Sequence, residues 1–227
     1  MKYTTVIFDL DGTLLNTLED LMDAVNYALH EYGYPKRTLD EIRTFVGNGA
    51  GILVKRALPD GESNPDFEEI LSVFRKYYTA HCEIKTHVYE GILQLLQLLQ
   101  NDGLKLAIVS NKPDSAVKEL NQSYFSGCVQ AAVGEKEGIR RKPAPDMVQN
   151  ALAELNSLQA ETVYVGDSEV DIQTAANAGL DCISVSWGFR DTDFLRSHGA
   201  SVIADTPQQV YEIIRSGTAC SSQNASV

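Results

Sequence analysis

The segment Thr-Val-Ile-Phe-Asp-Leu-Asp-Gly-Thr, residues 5–13, decides how this chain is interpreted. Its first four residues are apolar or β-branched, which predicts a short strand buried on both faces of a sheet. Asp9 and Asp11 follow where that strand ends, and an extended chain places both carboxylates on one side. Gly12 then permits a turn that a Cβ would hinder. Like charges this close need a cation or a shared proton. The segment therefore indicates a ligand site if other polar groups lie beside it. Taken alone, it also fits a simple acidic turn after a strand.

The rest of the sequence alternates strand and helix patterns, apart from one long segment. Four more nearly apolar runs predict buried strands at residues 104–109, 162–165, 182–185 and 202–204. Helical patterns flank these runs at residues 89–100, 113–122, 144–156, 170–178 and 207–215. This alternation predicts an α/β fold with a doubly wound, mostly parallel sheet.

The segment of residues 17–84 breaks the alternation because it contains helical patterns alone. Thr38 and Glu41 have the spacing of a capping box, which begins one of these helices. We therefore expect an inserted helical domain of residues 17–84, packed over the edge where the first strand ends. The core domain then consists of residues 1–16 and 85–216, and the small, polar residues 217–227 predict a flexible tail.

Charge and composition limit the partners of this chain. Its 227 residues include 19 basic and 31 acidic side chains, a formal net charge of −12. A field of this sign repels nucleic acid and anionic lipid, and no apolar stretch is long enough to span a bilayer, so we expect no nucleic acid and no membrane as partners. The scattered cysteines predict reduced thiols and a cytoplasmic location: Cys82, Cys128, Cys182 and Cys220.

Polar side chains follow the predicted strands at the positions where doubly wound sheets bind ligands. Ser110 and Asn111 follow the strand of residues 104–109, and Asp167 and Asp171 follow that of residues 162–165. Lys142 lies between them and directly precedes a proline, which favours an extended backbone. Each of these features alone fits a helix cap, a solvated charge or acidic residues at a helix start. Their joint occurrence in chain order favours one active site.

Four stretches together resemble the four motifs of the haloacid dehalogenase-like (HAD) hydrolase superfamily. They are DLDGT at residues 9–13, SN at 110–111, KPAP at 142–145 and GDSEVD at 166–171. Residues 17–84 resemble the α-helical cap of its subfamily I. The resemblance covers nearly the whole chain and implies a HAD-like core with an inserted α-helical cap domain.

The resemblance implies a phosphatase that works through an aspartyl-phosphate intermediate. Asp9 would be the nucleophile, and Asp11 would protonate the leaving oxygen and then deprotonate the attacking water. Ser110 would bind the phosphoryl oxygens and Lys142 would balance their charge. The presence of Asp11 favours phosphate chemistry, because the dehalogenase branch lacks that second aspartate. The further residues expected at the substrate are Thr13 and Asn111.

The resemblance also implies a Mg²⁺ cofactor. Hard oxygen ligands suit this cation, and the expected ones are the Asp9 carboxylate, the Asp11 main-chain carbonyl and Asp167. Asp171 joins the expected metal site, more as a support for the ligands than as a direct ligand.

A glycine-rich segment in the helical block is the candidate for substrate selection. Gly47, Asn48 and Gly49 precede a helix that bears Lys55 and Arg56. Main-chain amides at such a helix start can bind an anion, although a flexible turn with two solvated cations is an equal interpretation. The sequence VGNGA…LVKRAL resembles the cap loop of bacterial phosphoglycolate phosphatases. It implies a small phosphorylated metabolite with a carboxylate, 2-phosphoglycolate first.

Several other functions fit the same motifs. Within the superfamily these are a β-phosphoglucomutase-like phosphomutase, a pyrophosphatase and a phosphatase of broad sugar-phosphate range. A phospho-acceptor signalling module also uses an aspartate, a hydroxyl and a lysine on a parallel sheet. Such modules are about half this length and lack a helical insertion, which favours an enzyme. We expect the protein to be a monomer or a homodimer.

Overall fold

The computed structural model describes residues 2–218, which belong to two compact units. The first, the sheet unit, contains residues 1–14 and 88–227, and the second, the helical unit, contains residues 15–87. The chain enters the helical unit two residues earlier than the sequence predicts and leaves it three residues later. Apart from residues 217 and 218, the predicted tail lies outside the described residues.

The sheet unit is built on a six-stranded sheet whose paired strands all run parallel. The predicted α/β fold with a doubly wound, mostly parallel sheet is confirmed. The strands in sheet order are β5 (Ala131–Glu135), β4 (Lys105–Pro113), β1 (Thr5–Phe8), β6 (Thr162–Gly166), β7 (Asp181–Val185) and β8 (Ile203–Ala204). Two short strands, β2 (Leu15–Asn16) and β3 (His87–Val88), form a separate pair.

Strand β1 lies at the centre of the sheet and leads directly into Asp9 and the rest of the DLDGT segment. Thr5 pairs with Lys105 of β4 and with Thr162 of β6, so the three strands start in register. All four residues of β1 are buried, as the uninterrupted apolar pattern predicts. Because parallel strands end at the same edge, the residues after β1, β4 and β6 meet there.

The edge strand β5 was missed in the sequence analysis, for a physical reason. Its sequence is Ala-Ala-Val-Gly-Glu, which has little of the β-branched or aromatic content that marks a strand. Pairing with β4 overrides this weak propensity. Gly134 is required there because an added Cβ would lie 2.5 Å from the Cα of Asp114. Tertiary packing therefore specifies this strand more strongly than its local sequence does.

Six α-helices follow or connect the strands of the sheet unit. Helices α7 and α8 pack with Ile7, Ala107 and Tyr164 of the sheet in one apolar cluster. Helix α5 packs against β4 and α10. Their bounds are α5 (Ile92–Asn101), α6 (Asp114–Leu120), α7 (Asp146–Leu155), α8 (Glu169–Ala178), α9 (Thr192–Ser197) and α10 (Pro207–Ser216). Short helical turns occur at Asn121–Phe125 and Gln159–Glu161.

The helical unit has a core of its own. It contains α1 (Leu18–Glu31), α2 (Leu39–Phe45), α3 (Gly49–Ala57), a turn at Gly61–Ser63 and α4 (Phe67–His81). The predicted capping box is present: Thr38 Oγ1 accepts from the Glu41 N–H, and the Glu41 carboxylate accepts from the Thr38 N–H. Within residues 2–218, no helix combines the length and the apolar character that a membrane span requires.

Helix α5 offers a matched test of the core of the sheet unit. Leu96 is fully buried, whereas Leu93 on the same helix is 48% exposed. We expect Leu96→Ala to lower the free energy of unfolding by about 2–5 kcal/mol, because it removes buried methyl groups and leaves a cavity. Leu93→Ala should change it by less than about 0.5 kcal/mol. Urea unfolding of both variants measures the difference, and equal losses would contradict this packing.

Candidate active site

The loop after β1 brings Asp9 to the edge of the sheet. The Asp9 N–H donates to the Val165 carbonyl at 2.9 Å, which continues the β1–β6 pairing by one residue. Oδ1 of Asp9 accepts from the Leu10 N–H at 2.7 Å. Gly12 has φ +89°, and a Cβ there would lie 2.3 Å from Oδ2 of Asp167. The predicted need for a glycine in this turn therefore has two causes, the backbone conformation and the approach of Asp167.

Lys142 is the centre of the buried charge network at this edge. Its Nζ lies 2.8 Å from Oδ1 of Asp9 and 2.8 Å from Oδ1 of Asp171. It also donates to the Tyr164 hydroxyl at 3.1 Å. Lys142 is 3% exposed, so its charge depends on these oxygens rather than on water.

The combined effect of burial and neighbouring charges raises the pKa values of both Asp9 and Lys142. Burial and the charge of Asp171 raise the pKa of Asp9 to about 7, although Lys142 opposes the shift. Burial favours the neutral form of Lys142, but Asp171 and Asp9 outweigh it and raise the pKa of the ammonium. Lys142 is therefore a permanent cation, and it favours the ionised form of the nucleophile candidate.

Asp171 supports Lys142 from inside the protein. Its Oδ1 accepts from the Tyr164 hydroxyl at 3.1 Å in addition to Lys142. Its Oδ2 accepts from the N–H and the hydroxyl of Ser168, at 3.1 and 2.6 Å. The side chain is fully buried, and an added Cβ at Gly166 would meet it at 2.3 Å. Both oxygens of Asp171 are thus engaged by protein donors.

Asp167 is held by a loop that the sequence analysis did not assign to the site. Its Oδ2 accepts from the Phe189 N–H at 2.7 Å, and its Oδ1 accepts from the Thr13 hydroxyl at 3.3 Å. An added Cβ at Gly188 would lie 2.3 Å from the Cβ of Asp167. The Trp187 indole N–H donates to the Thr13 carbonyl at 3.1 Å. The signal available in the sequence was the Trp-Gly-Phe stretch just after the strand predicted at residues 182–185.

Three carboxylates lie close together at the edge of the sheet where β1 and β6 end. Oxygens of Asp9, Asp167 and Asp171 all lie within 4.8 Å of one another, and all three residues are buried. Burial, Asp171 and Asp9 raise the pKa of Asp167 well above its ordinary value. This mutual repulsion makes the cluster a suitable site for a divalent cation with hard oxygen ligands. The donor set therefore fits Mg²⁺.

Strand β4 continues beyond its last pairing with β1 and supplies the next group of polar side chains. Ser110, Asn111 and Lys112 are all buried, and the register with β5 shifts in this part of the strand. Asn111 Nδ2 donates to the Lys142 carbonyl at 3.1 Å, which ties this strand to the lysine loop. Lys112 Nζ lies 2.8 and 3.1 Å from the two carboxylate oxygens of Asp11. Sequence reasoning missed Lys112, although it directly follows the SN motif.

The candidate substrate-selecting residues lie in the helical unit. Gly47 and Gly49 have φ values of +108° and +81°, and Asn48 is the N-cap residue of α3. Lys55 Nζ pairs with Oε2 of Glu62 at 3.1 Å, and an Arg56 N–H donates to the Phe45 carbonyl at 2.9 Å. All the other predicted site residues lie in the sheet unit, where the structure brings them to one edge.

Comparison with known proteins assigns the family. The family description of haloacid dehalogenase-like hydrolases matches residues 6–185. The chain therefore belongs to the haloacid dehalogenase-like hydrolases, and its named relatives are phosphatases. A phosphoglycolate phosphatase of Pseudomonas putida is 32% identical over 92% of this chain and 76% of its own length. One from Cereibacter sphaeroides is 38% identical over 82% of this chain and 86% of its own length.

A solved structure agrees with this assignment. A crystal structure from Lactobacillus delbrueckii subsp. bulgaricus, provisionally named a phosphoglycolate phosphatase, has a TM-score of 0.91 and 43% identity. The match covers 94% of this chain and 99% of that one. The chain is thus a phosphatase of the phosphoglycolate phosphatase-like type, and the sequence-based recognition and enzyme class are confirmed.

Tyr164 allows a test of the buried network without touching a charge. We expect Tyr164→Phe to lower the free energy of unfolding by about 1–3 kcal/mol, because Lys142 and Asp171 each lose a buried hydroxyl partner. The control is Tyr211→Phe, whose exposed hydroxyl bonds to Asp102 at 2.9 Å and should matter by less than about 0.5 kcal/mol. Urea unfolding compares the two, and an undiminished stability in Tyr164→Phe would refute the network.

Proposed function

We propose that this enzyme is a Mg²⁺-dependent phosphatase that hydrolyses 2-phosphoglycolate through a phosphoryl group on Asp9. The observation that carries the proposal is the Asp9 carboxylate at the end of β1, 2.8 Å from the buried Lys142 ammonium. The names of the relatives support the substrate, since two curated relatives with 32% and 38% identity are phosphoglycolate phosphatases. The cytoplasmic location and the oligomeric state remain predictions.

Asp9 has the surroundings that a carboxylate nucleophile needs. The Leu10 N–H and Lys142 both contact its Oδ1, so Oδ2 is the oxygen assigned to attack. Lys142 favours the ionised carboxylate, whose oxygen is a far better nucleophile toward phosphorus than that of the protonated acid. Ser110 and Asn111 at the end of β4 are assigned to the phosphoryl oxygens, as is Thr13. The leaving oxygen departs with the electron pair of its bond to phosphorus.

Asp11 is assigned the proton transfers. It is two residues beyond Asp9, and its side chain is 21% exposed, whereas that of Asp9 is 11% exposed. In the first step it gives a proton to the leaving oxygen. In the second step it takes a proton from the water that attacks the phosphoryl group on Asp9. Different surroundings thus give two nearby carboxylates different tasks.

Asp9 and Asp167 are the proposed side-chain ligands of Mg²⁺, with the main-chain carbonyl of Asp11. When bound, the cation supplies positive charge that offsets the carboxylates and the phosphoryl oxygens. Asp171 belongs to the same acidic cluster, but its oxygens already accept from Lys142, Tyr164 and Ser168. We therefore assign Asp171 to orienting Lys142 rather than to binding the cation directly.

The helical unit is the proposed cap, and α3 its substrate-selecting element. Gly47, Asn48 and Gly49 lead into α3, and Lys55 and Arg56 are the cations assigned to the substrate carboxylate. In the structure these two cations are engaged by Glu62 and by the Phe45 carbonyl. Both contacts involve exposed or half-exposed side chains, so exchanging them for a substrate carboxylate costs little.

Turnover of 2-phosphoglycolate with and without metal tests the proposed function. We expect Mg²⁺ to support repeated turnover and a chelator to abolish it. Asp9→Asn should lower kcat by at least about 1,000-fold, because the amide cannot form the phosphoenzyme. The matched control is Asp193→Asn, an exposed aspartate on α9, which should keep the wild-type rate. An Asp9→Asn variant with most of its activity would refute the nucleophile.

A double variant tests the assigned carboxylate contact. We expect Lys55→Ala with Arg56→Ala to raise KM for 2-phosphoglycolate about 10-fold and to leave KM for p-nitrophenyl phosphate nearly unchanged, because only the first substrate has a carboxylate. Lys36→Ala with Arg43→Ala, which removes two other cations of the helical unit, is the control for net charge. Equal effects on both substrates would remove these residues from substrate selection.

A further inference from the structure

Lys112 is a buried cation whose partner belongs to the reaction. It lies two residues after Ser110 on β4, in the part of the strand where the register with β5 shifts. The Lys112 N–H donates to the Ser110 hydroxyl at 3.3 Å, which fixes this short segment. The Lys112 side chain is 3% exposed, so its ammonium needs a protein partner.

That partner is Asp11. Lys112 Nζ lies 2.8 Å from Oδ1 and 3.1 Å from Oδ2 of Asp11, so it contacts both carboxylate oxygens. The residues are 101 positions apart in sequence, and the contact connects the loop after β1 to the end of β4. The two aspartates of the DLDGT motif therefore have separate lysines, Lys142 for Asp9 and Lys112 for Asp11.

We infer that Lys112 is a positioning residue that holds the Asp11 carboxylate for its proton transfers. This inference rests on the proposed function, because it assigns a purpose to Asp11 only if Asp11 acts as acid and base. A partly exposed aspartate side chain has several rotamers available. Contact with both oxygens restricts it to one orientation. A carboxylate has about four lone-pair positions, so others remain for the proton that Asp11 gives to the leaving oxygen and later takes from the attacking water.

A purely structural role explains the Lys112–Asp11 contact less well than a positioning role does. Burying the Lys112 ammonium costs desolvation, and an apolar side chain of similar volume often gives equal or greater stability at such a position. Positioning explains the cost, because a misplacement of about 1 Å at a reacting group can reduce the rate about 100-fold. Lys112 touches Asp11 rather than the phosphoryl group in this assignment, so it acts through Asp11.

The two chemical steps depend on Asp11 to different degrees when the donor is acetyl phosphate. In the first step the Asp9 oxygen bonds to phosphorus and acetate leaves with the electron pair, which requires no proton from Asp11. In the second step water bonds to phosphorus, the Asp9–phosphorus bond breaks, and Asp11 takes a proton from the water. Loss of the Lys112 contact should therefore slow the second step and spare the first.

Acid-quenched labelling with phosphorus-32 acetyl phosphate and Mg²⁺ tests this inference. We expect Lys112→Met to reduce turnover about 100-fold and to raise the fraction of enzyme that carries label in the steady state. Lys118→Met is the matched control, because Lys118 is an exposed lysine paired with Asp114 at 2.6 Å on α6. It should match the wild type in turnover and in labelled fraction. Lys112→Gln replaces Lys112→Met if the methionine variant does not fold, with the same expected direction.

The outcomes separate this inference from the proposed function. Lower turnover together with a higher labelled fraction in the Lys112 variant supports the positioning role. Turnover equal to that of Lys118→Met overturns it, and so does lower turnover with an unchanged or smaller labelled fraction, since general damage to Asp9 slows both steps. If the wild-type enzyme turns over but never carries label, the proposed nucleophile fails, and the role of Lys112 fails with it.

Discussion

The contact between the buried Lys142 ammonium and the carboxylates of Asp9 and Asp171 is the interaction on which the site depends. Both oxygens lie 2.8 Å from Nζ, in surroundings where an unpaired charge would be very costly. Removing one partner of such a buried pair typically costs about 3–5 kcal/mol. The sheet supplies this geometry because β1 and β6 are adjacent and parallel, so Asp9 and the residues after β6 end at one edge.

The same edge of the sheet brings several negatively charged carboxylates close together. Asp9, Asp167 and Asp171 lie within one small cluster, and burial raises the pKa values of Asp9 and Asp167. Lys142 relieves part of the repulsion, and the proposed Mg²⁺ would relieve more of it. An acidic chain can thereby accept an anionic substrate, since Lys142 and the proposed cation supply local positive charge at the strand ends.

Much of this arrangement could be predicted from the sequence, because it follows from local patterns. The apolar runs before Asp9, Ser110 and Asp167 indicate buried strands, and parallel strands bring their ends together. Three features could not be predicted in this way. Strand β5 depends on pairing with β4, the Phe189 N–H reaches Asp167 only through the turn at Gly188, and the Lys112–Asp11 contact joins residues 101 positions apart. Each depends on tertiary packing, so the local sequence does not determine the contact.

In the proposed mechanism the Asp9 carboxylate itself becomes bonded to phosphorus. Peptide mapping of the wild-type enzyme, acid-quenched during turnover of labelled 2-phosphoglycolate, measures this most directly. We predict a single labelled peptide that contains residues 5–13, with the phosphoryl group on Asp9. Label on Asp11 or on a residue elsewhere in the chain, or turnover without any labelled enzyme, would contradict it.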